Sequence, residues 1–200
     1  MIKKNLMLFP ILFIALIFTA CSDSELDADT TTPEEDKVAI EAVVRGMYEW
    51  HFTGDLSPDF PPTEEGAKYT NIDGDVYELT VSELTKSGYF SANFIANHAA
   101  LANSIGDQLV SGKMEWTVGD LPPFGNGANA WCDCQDYPDN FWENMVISIA
   151  ESVQDADSKS VTWKFDKDDD SGYSLGVVKQ DGAWKIDSMQ AFDAATFLGE

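Results

Sequence analysis

The chain has 200 residues, with 35 acidic against 12 basic side chains, a formal charge of −23 and 44% hydrophobic residues. Such a surface repels phosphate backbones and anionic head groups, which argues against nucleic acid as a partner and against a basic patch as a membrane anchor. It suits cationic ligands, divalent cations or plain solubility, and there is enough apolar residue to build a real core.

The first predicted element is a leader. Lys3 and Lys4 precede an apolar run from Leu6 to Phe18, then Thr19-Ala20-Cys21; residues 1–20 have the anatomy of a secretory signal. The run of 13 residues is shorter than the ~20 apolar residues that span a bilayer. Phe18-Thr19-Ala20-Cys21 resembles the bacterial lipoprotein box. That resemblance implies that Cys21 is lipidated, that everything before it is removed, and that acyl chains hold the protein to the membrane. Two or more chains anchor stably where one does not. Losing residues 1–20 removes two lysines and no acid, so the formal charge moves from −23 to −25. Residues 22–32 (SDSELDADTTT) are polar, acidic and free of aromatics, so residues 21–32 read as a lipidated cysteine and its flexible tether. Acidic residues directly after the cysteine resemble the export signal of surface lipoproteins in Bacteroidetes-type bacteria. With Ser22 compatible with outer-membrane sorting, the implied address is the bacterial cell envelope, lipid-anchored at the outer membrane and exposed at the surface.

Residues 33–200 are expected to form a single globular domain. Thr32 as N-cap, Pro33 and Glu35 make a capping box. Ala39, Ile40, Gly46, Met47 and Trp50 fall within about 60° of Val43 on a helical projection, with Glu41, Arg45 and Tyr48 opposite. This first helix should end near Gly54, because residues 55–63 (DLSPDFPPT) hold three prolines. Residues 64–80 carry no clear pattern beyond a turn at 71–75. A second helical region begins at Ser82, with Phe90, Phe94, Ile95, His98, Leu101, Ala102 and Ile105 at three- and four-residue spacing, and ends at Gly106 or Gly112. Residues 117–140 are loop. Four strand-like runs follow, around Met145–Ile149, Val161–Phe165, Tyr173–Val177 and Trp184–Ser188, with Asp181-Gly182 as a hairpin turn between the last two. Helices followed by an antiparallel meander predict an α+β fold, with N-terminal helices packed on a curved antiparallel sheet of about four strands.

Tyr48-Glu49-Trp50, the stretch Cys134-Gln135-Asp136-Tyr137-Pro138 with Trp142, and Asp181-Gly182-Ala183-Trp184-Lys185-Ile186 together resemble a family of uncharacterised bacterial lipoproteins. That family carries a domain of unknown function with a nuclear-transport-factor-2-like, cone-shaped fold, and the similarity covers residues 36–193. It implies the fold and a cavity between sheet and helices, and it implies no activity.

Catalytic groups are scarce: two histidines, His51 and His98, and one arginine, Arg45. A lone histidine on a helix is ordinarily a hydrogen-bonded boundary residue. A small-molecule hydrolase or isomerase would pair His98 with Asp136 across the cavity, an idea resting on fold analogy. No nucleophile elbow, phosphate loop or dinucleotide fingerprint is present, and no cofactor is expected. No metal site is expected either. Cys132, Asp133, Cys134, Asp136 and Asp139 lack the second cysteine pair of a zinc site. The acidic runs at 166–170 and 71–75 fail the calcium-loop pattern at its sixth and twelfth positions. Cys132 and Cys134, one residue apart, read as a structural pair, bridged or reduced. Long loops in compact domains tend to carry function, so Trp131, Gln135, Asp136, Tyr137 and Trp142 are the candidate ligand-binding residues, although these aromatics serve equally well to cap the sheet. The reading is a lipid-anchored, non-catalytic module for a small-molecule or protein partner. A protective, immunity-type lipoprotein binding a basic protein is a further alternative, since an acidic face suits a cationic partner.

Overall fold

The computed structural model describes residues 32–150, 155–168 and 172–194. The leader, Cys21, the tether at 22–31 and part of the acidic 166–170 run lie outside them. Helix α1 (Pro33–Thr53) starts as its capping box requires: Thr32 Oγ1 accepts from the Glu35 N–H, and the Glu35 carboxylate accepts from the Thr32 N–H. It stops at Gly54, ahead of the proline-rich segment. Its buried side is Ile40, Val44, Met47 and Tyr48, a stripe rotated from the predicted one. Tyr48 and Arg45, expected to face solvent, turn inward because each polar tip finds partners there. The Arg45 guanidinium donates to the carbonyls of Trp142 and Met145 at 2.5 and 2.8 Å.

Residues 62–87, of which 64–80 carry no clear pattern in sequence, form a hairpin and a helix. Strands β1 (Pro62–Glu65) and β2 (Lys68–Ile72) are followed by α2 (Gly74–Ser87). The Asp73 carboxylate caps α2 by accepting from the Val76 N–H at 3.1 Å, so the Asn71-x-Asp73-x-Asp75 spacing marks a helix start. Gly88, left-handed at φ 75°, ends α2, and Ser91 then caps α3 (Ala92–Val110). The one predicted helical region is therefore two helices. Strand β3 (Trp116–Thr117) joins β2 to complete a three-stranded sheet in the order β1-β2-β3.

After a four-residue helix α4 (Phe141–Asn144) come β4 (Val146–Ala150), β5 (Ser158–Lys164), β6 (Tyr173–Gln180) and β7 (Ala183–Met189). They pair antiparallel in the order β4-β5-β6-β7. Asp181 and Gly182 turn between β6 and β7 with φ of 54° and 77°, the positive values a tight two-residue hairpin demands. The register shifts between Gly176 and Val177, which bends the sheet. Alternation gives it one apolar face, where Val161, Trp163, Leu175, Val177, Trp184 and Ile186 are buried and α1 and α3 pack. The fold is α+β: helices on a curved four-stranded antiparallel sheet, with a second small sheet that the sequence did not announce. Asp36 in the first turn of α1 fixes that helix to the sheet, accepting from the Trp184 indole at 2.9 Å and from Lys179 at 3.4 Å.

Candidate functional site

The proline-rich segment after α1 is pinned along α2. The Glu83 carboxylate accepts from the Ser57 N–H and hydroxyl at 2.9 and 3.1 Å, Thr80 Oγ1 donates to the Pro58 carbonyl at 2.9 Å, and the Asp73 N–H donates to the Pro61 carbonyl at 2.7 Å. These bonds fix Asp59. Its Oδ2 accepts from the Trp131 indole at 2.8 Å, and its Oδ1 lies 3.6 Å from His98 Nε2, too far for a hydrogen bond.

His98 is fully buried on α3. Its Nδ1 is 2.8 Å from the Tyr77 hydroxyl, its ring stacks on Phe60 with centroids 4.7 Å apart, and Nε2 has no hydrogen-bond partner. The Asp59 side chain keeps 28% exposure. Burial pushes its pKa up, but the His98 imidazole, His51 and the Trp131 indole outweigh burial and hold the carboxyl below its ordinary range. Burial, and after it the charge of Asp59, raises the pKa of the Tyr77 hydroxyl, so tyrosine stays a neutral partner to the imidazole.

From Asp59 opens a groove of about 470 Å³ lined by Phe60, Tyr69, Trp116, Leu121 and Phe124 among others. The rings are in mutual contact: Tyr69–Trp116 at 4.4 Å, Trp116–Phe124 at 5.4 Å and Phe60–Phe124 at 5.8 Å between centroids. Leu121 is 77% exposed. Among the described residues lining this groove, Asp59 is the one charged side chain.

The sequence candidates do not converge there. Trp131 is buried and braced: its carbonyl accepts from the Tyr48 hydroxyl and the Ala130 carbonyl from the Tyr173 hydroxyl, at 2.8 and 2.7 Å. Cys132 and Cys134 are bridged, with Cα atoms 5.1 Å apart and Asp133 at a φ of 49° making the tight turn between them; the open alternative resolves to a disulfide. Gln135 and Asp136 are exposed. Tyr137 and Trp142 pack on Phe52 at 4.7 and 6.3 Å, and neither lines the groove. The carboxylate facing His98 is Asp59, not Asp136. Asp59 escaped the sequence reading because its partners lie 39 and 72 residues downstream. The one local signal was an acid locked among prolines and a phenylalanine, Ser57-Pro58-Asp59-Phe60-Pro61-Pro62.

No protein-family model, curated protein or solved structure matches the chain. The site's chemistry must speak for itself. Among the described residues no group of three histidine, cysteine, aspartate or glutamate side chains is placed to hold a metal, and no helix is long and apolar enough to cross a membrane. His98 turns Nε2 to Asp59 and does not line the groove. A general base works best with a pKa near the operating pH, and Asp59 is held in the opposite direction. Asp59 thus stands as a negative charge at an aromatic groove.

Proposed function

We propose that the protein is a non-catalytic ligand-binding module of the bacterial cell envelope, held at the outer membrane through lipidated Cys21, with the groove beside Asp59 as its site. The observation that carries this reading is a single braced carboxylate in a groove otherwise lined by apolar and aromatic groups. Small-molecule sites have this make-up, a mostly apolar concavity of about 300–1,000 Å³ with few placed polar groups. In this reading Trp131 is a positioning residue, aiming the carboxylate through its indole, while Gln135, Asp136, Tyr137 and Trp142 belong to the packing and surface of the loop.

Filling the groove tests the assignment. Ala128 lines it, and Ala128→Trp should abolish saturation transfer from the protein to a set of aromatic fragments seen by ligand-observed NMR. The melting temperature should move by no more than about 2 °C, as for an ordinary surface change. Fragment signals that survive unchanged in Ala128→Trp would place binding elsewhere. The anchor is tested separately: Cys21→Ser should leave the chain in the soluble fraction without a metabolic acyl label. A labelled, membrane-bound Cys21→Ser protein would remove the anchor.

A further inference from the structure

We infer that the groove selects a small organic cation, a ligand with an aromatic or aliphatic body and an ammonium end set against Asp59. This rests on the reading of the groove as a binding site and goes one step beyond it, to the charge of what binds.

Three charge classes of ligand can be weighed against the same surface. An anion would meet a carboxylate, inside a chain whose formal charge is −23, and would be repelled. A neutral apolar body would gain from the rings of Phe60, Tyr69, Trp116 and Phe124. In closing the groove, however, it would strip water from the partly exposed Asp59 side chain and return nothing for it, a cost borne by any buried charge left without compensation. A cation gains on both counts. The groups facing Asp59 are an indole N–H and two imidazoles; among the described residues no lysine or arginine is paired with it. A carboxylate offers about four acceptor positions, of which the indole takes one, and 28% of the side chain stays exposed. The aromatic rings lining the groove offer cation–π attraction, and the acidic surface raises the local concentration of cations.

The probes are benzylammonium chloride, benzyl alcohol and sodium benzoate, titrated calorimetrically at pH 7.5 into the full chain held in detergent. They share one ring and differ in charge. Benzylammonium should bind at least about tenfold more tightly than benzyl alcohol, with no heat from benzoate. In Asp59→Asn, whose side-chain oxygen still accepts from the Trp131 indole, that advantage should fall to within about twofold. Tyr69→Leu, which leaves the carboxylate bracing untouched, should weaken benzylammonium more than benzyl alcohol, and it carries the test should Asp59→Asn fail to fold. Equal affinities for benzylammonium and benzyl alcohol would overturn the cation inference while leaving the groove a binding site. Benzylammonium binding that keeps its full advantage in Asp59→Asn would overturn it as well. Silence from all three probes would take the groove reading down with it.

Discussion

Tyr48→Phe should lower the free energy of unfolding by about 3 kcal/mol, a large loss for one oxygen atom. Tyr48 is fully buried on α1, and its hydroxyl stands between two other buried groups. It donates to the Trp131 carbonyl at 2.8 Å and accepts from the Trp163 indole at 2.7 Å. Burial raises its pKa well above the ordinary value, so it remains a neutral donor. Phenylalanine keeps the ring contacts with Trp163 and Phe141, at 4.9 and 5.4 Å, and strands both partners at about 1–3 kcal/mol each. Urea unfolding should show a lower midpoint at unchanged slope, with a fall in melting temperature of about 10 °C. A loss below about 1 kcal/mol would mean that both partners find replacements. The hydroxyl ties together α1, the 129–134 segment and β5, the three pieces that place the indole holding Asp59, so the effect belongs to the site's scaffold as much as to the core.

The position of Tyr48 marks where sequence reading runs out. The capping box, the stop at Gly54, the four alternating strands and the Asp181-Gly182 turn were all legible, because each is decided within a few residues of chain. The inward face of α1 was not. A helical projection centred on Val43 puts tyrosine and arginine on the solvent side by their angle, whereas here the buried stripe is turned towards Val44, and Tyr48 and Arg45 reach carbonyls on segments far along the chain. The break between α2 and α3 was missed for a related reason. The apolar spacing runs on through Phe90, but Gly88 in a left-handed conformation ends one helix and Ser91 caps the next. Phe90 itself is extended, bridging to Ile186. Of the site, His98 and Trp131 stand out in the sequence only as separate candidates. Only the docking of α3, the 129–134 segment and the proline-rich segment brings them to one carboxylate, and no local pattern encodes that meeting.

Acid should destabilise the fold well above the pH at which carboxylates protonate, and His51 is the group responsible. Its ring lies flat on Trp131 with centroids 4.0 Å apart and meets Phe52 edge-on at 4.9 Å, and its Nδ1 is buried without a hydrogen-bond partner. Burial pushes its pKa down from 6.5 to about 4, with the charge of Asp59 opposing. The unfolded chain therefore takes up a proton near pH 6.5 and the folded chain only near pH 4. Between those limits the unfolded state binds more protons, so stability is full above the window and falls as pH falls through it, by about 3 kcal/mol across the whole span. Asp59, with its carboxyl held low, adds a loss of the same sign further into acid. His51→Phe keeps a ring on Trp131 and removes the titration. Urea unfolding at pH 7 and at pH 4.5 should show the wild-type chain losing about 2 kcal/mol more than His51→Phe over that interval. Parallel losses in the two proteins would clear His51. The same depression keeps the imidazole uncharged at neutral pH, so His51 does not neutralise the carboxylate beside it, and the charge of Asp59 stays available to the groove.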